Sequence, residues 1–290
     1  DDKGHYLHTI GKRGQGPGEY REVYDMIVDE SKNQVRLLSP FGSLYTYDLE
    51  GNFIKQNQLP EKSNYQAMEQ IGDNIMTWTI PVSSDEPCIT IVNADNGKEV
   101  SSLWKGPRIL NSLSGGSFYT YDGKTYFAPA FHNNEILEIT EDSLKLAYKW
   151  DFGKDNIDIS KYTFTLTDDN QAEEGRLMTD YLGNGTIPYL LGSQYQNSKY
   201  FYVCFSYGWF PNQTIKHLFY LKSDGKSFFF KDTQENISIR PQAFEEECIV
   251  QFASYDDLEA YKSILSPAEY QKIISRNEED NPCLIKLYFK

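Results

Sequence analysis

Short runs in which apolar and polar residues alternate recur along the whole chain, each closed by a turn built of Gly, Asp, Asn or Ser. Alternation of this kind predicts half-buried β-strands, because successive side chains of a strand point to opposite faces. The first full set reads as four strands, Val23–Asp29, Gln34–Leu38, Ser43–Asp48 and Asn52–Gln58, separated by turn residues. Strands are likewise predicted at Glu135–Thr140, Leu144–Trp150, Cys248–Ala253 and Cys283–Phe289. The stretch from Tyr200 to Phe210 carries apolar residues on both faces and predicts a strand sandwiched between two layers. Helical patterning is confined to two short pieces near the C-terminus. Ser266-Pro267-Ala268-Glu269 is a capping box with Pro at the first helical position, backed by Tyr270, Ile273 and Ile274. Ser254 precedes Tyr255–Leu265, whose Leu258, Tyr261 and Leu265 share a face.

The strands repeat as groups. Asp2-Lys3-Gly4-His5-Tyr6-Leu7 matches Leu49-Glu50-Gly51-Asn52-Phe53-Ile54, and the same turn returns at Asn96-Gly97-Lys98 and Asp224-Gly225-Lys226. A related turn without Gly is centred on Ser143. Gly4 to Gly51 is 47 residues, Gly51 to Gly97 is 46, and Gly97 to Ser143 is 46. From Ser143 to Gly225 is 82, one further period plus about 36 inserted residues. Four strands in a period of this length are the pattern of β-propeller blades. Such a sheet cannot bury both faces alone, but a ring of sheets packed face to face can. The prediction is an all-β, single β-propeller domain over 1–290, with strands for about five blades and a truncated first one. An acidic insertion at 155–185 and a helical insertion at 254–276 interrupt it.

Composition adds limits. The chain has 290 residues, 15% of them aromatic, a mean hydropathy of −0.59, a net charge of −14 and a pI near 4.8. No run approaches the roughly 18 apolar residues of a spanning helix. An acidic surface repels phosphate backbones, so no nucleic-acid partner is expected. Cys88, Cys204, Cys248 and Cys283 lie far apart in strand-like contexts. They read as small core hydrophobes with free thiols, two disulfides being the alternative that sequence cannot pair.

Three landmarks carry a family resemblance: Gly11-Lys12-Arg13-Gly14-Gln15-Gly16-Pro17-Gly18-Glu19-Tyr20, the segment Tyr148-Lys149-Trp150-Asp151-Phe152-Gly153, and the ending Glu279-Asp280-Asn281-Pro282-Cys283-Leu284-Ile285. In this order they resemble a bacterial six-bladed β-propeller family of unknown function, related to NHL repeats within the TolB-like superfamily. The resemblance implies the six-bladed type, with about one blade missing here. It leaves two arrangements open: an incomplete six-bladed ring, which is preferred, or closure by pairing of His5–Ile10 with Cys283–Phe289. It also implies an exported protein, periplasmic or at the cell surface, lipid-anchored in its full-length form. The chain departs from the NHL pattern where Leu38 is followed by Ser39-Pro40 rather than Asp.

Candidate chemistry is sparse. The Gly-rich decamer lacks the Gly-Lys-Ser/Thr ending of a phosphate loop and reads first as a connector between blades, its glycines supplying positive φ. If it binds a ligand, Arg13, Gln15 and Glu19 are its polar groups. Trp209 and Phe210, beside Pro211, are the candidate sugar-stacking aromatics. The acidic residues Asp155, Asp158, Asp168, Asp169, Glu173, Glu174 and Asp180 lack the Asp-x-Asp-x-Asp-Gly spacing of a calcium turn. His5, His8, His132 and His217 show no metal spacing, so no metal or other cofactor is expected and no catalytic residue is assigned. The leading expectation is a non-enzymatic binding module of the bacterial cell envelope for a glycan, peptide or protein. The alternative is a hydrolase or lactonase-like enzyme with acidic residues, metal-assisted or not, around a central channel. Convergent inward acids would favour the enzyme, and an apolar or aromatic rim the binder.

Overall fold

The computed structural model describes residues 5–62, 64–80, 87–104, 116–129, 134–140, 142–156, 185, 188–208 and 211–289. The fold is an all-β propeller: four four-stranded antiparallel sheets and one three-stranded sheet follow one another, five blades among the described residues. Its contacts gather in two compact units, the first running to Asp151 and the second holding Phe152–Asn156 and the sheets from Tyr189 onward.

The first unit opens with two short strands, β1 (Lys12–Arg13) and β2 (Glu19–Tyr20), paired in parallel. Sheet one follows as β3 (Asp25–Asp29), β4 (Gln34–Leu38), β5 (Ser43–Asp48) and β6 (Phe53–Gln58). Sheet two is β7 (Tyr65–Ile71), β8 (Asn74–Thr79), β9 (Ile89–Asn93) and β10 (Glu99–Trp104). Sheet three is β11 (Gly116–Tyr121), β12 (Lys124–Pro129), β13 (Glu135–Ile139) and β14 (Leu144–Lys149). In each sheet the strands lie in sequence order and each pairs with the next. Two of the predicted strands of sheet one coincide with β4 and β5, and β3 starts two residues later than the pattern suggests, at Asp25.

Alternation explains the packing. Ile27, Leu38, Leu44, Met68, Ile75 and Val92 from sheets one and two form one buried cluster. The opposite faces of β8 and β9, through Met76, Trp78, Ile89 and Ile91, pack with Phe127 and Ile139 of sheet three. The middle strands are thus apolar on both faces, and truncating any of these side chains to Ala would cost about 2–5 kcal/mol. One charged pair lies within these layers. Arg36 is fully buried and donates from Nη1 to Asp29 at 2.8 Å and to Gln70 at 3.1 Å.

The second unit contains sheet four, β15 (Tyr189–Gln196), β16 (Tyr200–Tyr207), β17 (Thr214–Leu221) and β18 (Ser227–Phe230). Sheet five has three strands, β19 (Pro241–Phe244), β20 (Cys248–Ala253) and β21 (Cys283–Tyr288). In β16 the residues from Tyr202 to Ser206 are all buried, the two-sided burial that its composition predicts. Between β20 and β21 the chain forms a 3-10 helix over Tyr255–Ser263 and then α1 (Pro267–Ile274). The predicted capping box of α1 is present: Ser266 N–H donates to Glu269 at 2.9 Å, and Glu269 N–H to Ser266 Oγ at 3.3 Å. The segment after Ser254 is a 3-10 helix, with Leu258 and Tyr261 buried as the pattern requires. All four cysteines are buried free thiols. Among the described residues no helix is long and apolar enough to cross a membrane.

Candidate functional site

The Gly-rich loop is held by its own groups. Gly14 N–H donates to the Tyr20 carbonyl at 2.9 Å, and Gly16 N–H to Glu19 Oε2 at 2.9 Å. Glu19 also receives Lys12 Nζ at 3.1 Å, and these two donors lower its carboxyl below the ordinary range, the Gly16 amide first. Arg21 Nη2 donates to Gln15 at 3.3 Å, and Arg13 Nε to the Arg21 carbonyl at 3.2 Å. Arg13, Gln15 and Glu19 therefore share one loop; Glu19 has its partners within it, and Arg13 and Gln15 both bond to the adjoining Arg21.

Two of its glycines are required by conformation and space together. Gly11 (φ +65°) and Gly18 (φ +72°) would each drive a Cβ into an aromatic ring at 2.6 Å, Tyr47 and Phe53 respectively. Gly14 and Gly16 differ from expectation, since neither has positive φ; Gly14 is instead limited by the Glu19 carboxylate, which occupies the place of its Cβ. Tyr47 OH donates to the Gly18 carbonyl at 2.9 Å, and Ile10, Tyr20 and Val23 cover Val35, Leu37, Tyr45 and Tyr47. Burial, reinforced by Tyr20 and Tyr45, pushes the Tyr47 hydroxyl up to about 12. The loop caps one face of sheet one.

The other sequence candidates are more scattered. Trp209, Phe210 and His132 lie outside the described residues, as do Asp158, Asp168, Asp169, Glu173, Glu174 and Asp180. His217 is buried, with its Nδ1 3.0 Å from Tyr202 OH, and burial lowers its pKa, so it stands neutral in the sheet.

A pair of carboxyls that the sequence did not single out comes together elsewhere. The first strands of the three sheets in the first unit, β3, β7 and β11, lie side by side. Along them runs a cleft of about 370 Å³ whose walls include Asp25, Met26, Val28, Glu69 and Phe118. Asp25 accepts Met26 N–H on Oδ1 at 2.9 Å and, from the neighbouring sheet, Met68 N–H on Oδ2 at 2.8 Å. Glu69 accepts Gln70 N–H at 3.0 Å. Burial raises the pKa of both against the pull of these amide bonds, and the charge of Asp25 adds to the rise at Glu69. Among the described residues neither carboxylate has a Lys, Arg or His partner. A sequence signal existed: Asp25 and Glu69 are acids inside strands, where acids are disfavoured. The strand pattern alone does not say that first strands of successive sheets are neighbours.

Comparison with known proteins agrees with the architecture. A family model described as "Domain of unknown function (DUF4934)" matches residues 1–288, and the chain belongs to this family. No curated protein matches. Among solved structures, the chain is similar to a Bacteroides fragilis NCTC 9343 protein described as exported. The two are 15% identical, with a TM-score of 0.75 over 100% of this chain and 84% of that one. BamB from Moraxella catarrhalis is 11% identical, with a TM-score of 0.42 over 73% of this chain and 54% of its own. The designed protein Ika8 is 10% identical, with a TM-score of 0.42 over 81% and 69%. The last two likenesses are too loose to argue from.

Proposed function

We propose that this DUF4934 member is a non-enzymatic binding module of the bacterial cell envelope that recognises a glycan, peptide or protein partner through the cleft on β3, β7 and β11. The observation that carries the reading is the cleft itself. Two carboxylates stand over apolar side chains at the edge where three sheets meet, and among the described residues no Lys, Arg or His is paired with either. Recognition sites combine an apolar wall with a few placed polar groups, and the cleft's volume falls at the lower end of such sites. The Gly-rich loop is assigned the structural part, because its polar groups bond within it or to the adjoining Arg21. An exported setting draws support from the Bacteroides fragilis neighbour. The six-bladed NHL/TolB-like assignment, with a lipid anchor in the full-length protein, belongs to this same reading.

The test is a screen of peptides and oligosaccharides followed by amide chemical-shift mapping. A ligand of this site shifts the amides around Asp25–Val28 and Ala67–Glu69. Val28→Trp, at a half-exposed wall position, abolishes its binding. Binding that ignores Val28→Trp would remove the cleft from the reading.

The convergence of Asp25 and Glu69 also favours a second reading, a hydrolase or lactonase-like enzyme in which Glu69, its pKa raised by burial, is the proton donor. Turnover of an ester, lactone or glycoside that disappears in Glu69→Gln would move the function there.

A further inference from the structure

Resting on the cleft as the recognition site, we propose that its ligand is the cationic end of a basic side chain: a lysine ammonium or arginine guanidinium presented by a peptide. The first argument is the hydrogen-bonding character of the wall. Its two polar side chains, Asp25 and Glu69, only accept when ionised. The remaining lining side chains, Met26, Ile27, Val28, Ala67, Met68 and Phe118, offer no N–H or O–H donor. A sugar hydroxyl both donates and accepts, and among these side chains would find acceptors alone. An ammonium or guanidinium only donates, and its complement is the wall that is present.

The second argument is charge. The titratable and charged side chains on the elements around the pair are few. On β3 the only other is Asp29, and it is bound to Arg36. On β4 it is Arg36, whose guanidinium is engaged by Asp29, Gln70 and Gln34. β7 carries Tyr65, whose hydroxyl donates to the Pro60 carbonyl at 2.7 Å, besides Glu69, and β11 carries Tyr119 and Tyr121 but no acid or base besides them. Among the described residues no counter-charge stands beside Asp25 and Glu69, so burial raises both carboxyls without a cation to offset it. A net charge of −14 raises the local concentration of cations further.

The third argument is shape. A cleft of about 370 Å³ takes one side chain rather than a run of sugar rings. Met26, Val28 and Phe118 suit the methylene stem of lysine or arginine.

Calorimetric titration of the full chain with Gly-Lys-Gly, Gly-Arg-Gly, Gly-norleucine-Gly and diacetylchitobiose separates the cases. The lysine and arginine peptides bind, and the norleucine peptide, lacking only the charge, binds at least about tenfold more weakly. Glu69→Gln and Asp25→Asn each weaken the basic peptides about tenfold or more, and circular dichroism shows that the variants are folded. Affinity falls as pH is lowered through the raised carboxyl pKa values and falls with added salt. Equal binding of the norleucine peptide, or basic-peptide binding untouched by both acid substitutions, overturns the inference. Glycan binding that is lost in Val28→Trp, with no binding of the basic peptides, overturns it while leaving the recognition reading in place. No binding of any probe at millimolar concentration, or binding indifferent to Val28→Trp, removes both.

Discussion

Asp25 and Asp29 stand at the two ends of β3, on the same face of the strand, and their carboxyls are displaced in opposite directions. Burial pushes both up. At Asp29 it is overcome by hydrogen bonds from Ser31, Arg36 and the Lys32 amide and by the Arg36 charge, which hold the carboxyl at about 2. At Asp25 the donors among the described residues are two backbone amides, and burial wins. The lower end of the strand is a closed polar unit whose charges cancel inside the sheet pair. The upper end is an open one, holding a charge that no described side chain of the first unit neutralises. A buried acid of the first kind supports the fold, and one of the second kind, at the edge of a cleft, is available to something outside it.

The comparison can be broken most severely at its closed end. Arg36→Met leaves Asp29 buried without its cation, and urea unfolding should show a loss of about 3–5 kcal/mol. The double variant Arg36→Met/Asp29→Asn should recover a large part of it. A loss below about 1 kcal/mol in the single variant would mean that the pair is solvated. Next comes the acid limb. Because the folded pKa of Asp29 lies below its ordinary 3.8, its contribution is fully present above that value and disappears as pH falls through about 2. The contribution is about 1–2 kcal/mol, and Asp29→Asn should flatten stability over that window. Gly18→Ala sharpens the contrast with the loop. Positive φ and the Phe53 ring together should cost about 1–2 kcal/mol in thermal unfolding, without changing binding at the cleft. The smallest effect belongs to the open end. Glu69 has a folded pKa above its ordinary 4.5, so its ionisation opposes folding at neutral pH and is without effect well below 4.5. Glu69→Gln should therefore raise stability at pH 7 by up to about 1 kcal/mol and show no gain near pH 4, as read by paired melting curves.

Much of the fold was legible because it follows from local patterning. The turn at Gly51, positive in φ, sits between β5 and β6 where the repeat puts it, and Ser266 and Glu269 form the expected cap. The parallel pairing of Lys12–Arg13 with Glu19–Tyr20 was not legible, since nothing in two-residue strands carries a period. The five blades among the described residues were readable, because each period closes its own set of strands, but the three-stranded sheet is the last and not the first, and His5–Ile10 forms no strand. The cleft was not. Asp25 and Glu69 lie in different periods, and their meeting depends on which strand of each sheet faces which neighbour. The Gly-rich loop drew attention as the most unusual string of residues. Its oddness reflects the demands of Tyr47 and Phe53 for glycine at positions 11 and 18.

The strand order within each sheet has a consequence for how the chain is made and remade. Within each sheet every strand after the first pairs with its immediate predecessor in sequence, so each sheet is complete once its own stretch of about forty residues has been synthesised. Such a chain can acquire structure progressively as it leaves the ribosome, with no early strand waiting for a distant mate inside its own sheet. The same arrangement lets duplication or loss of one period add or remove a whole sheet while leaving the pairing within the others untouched.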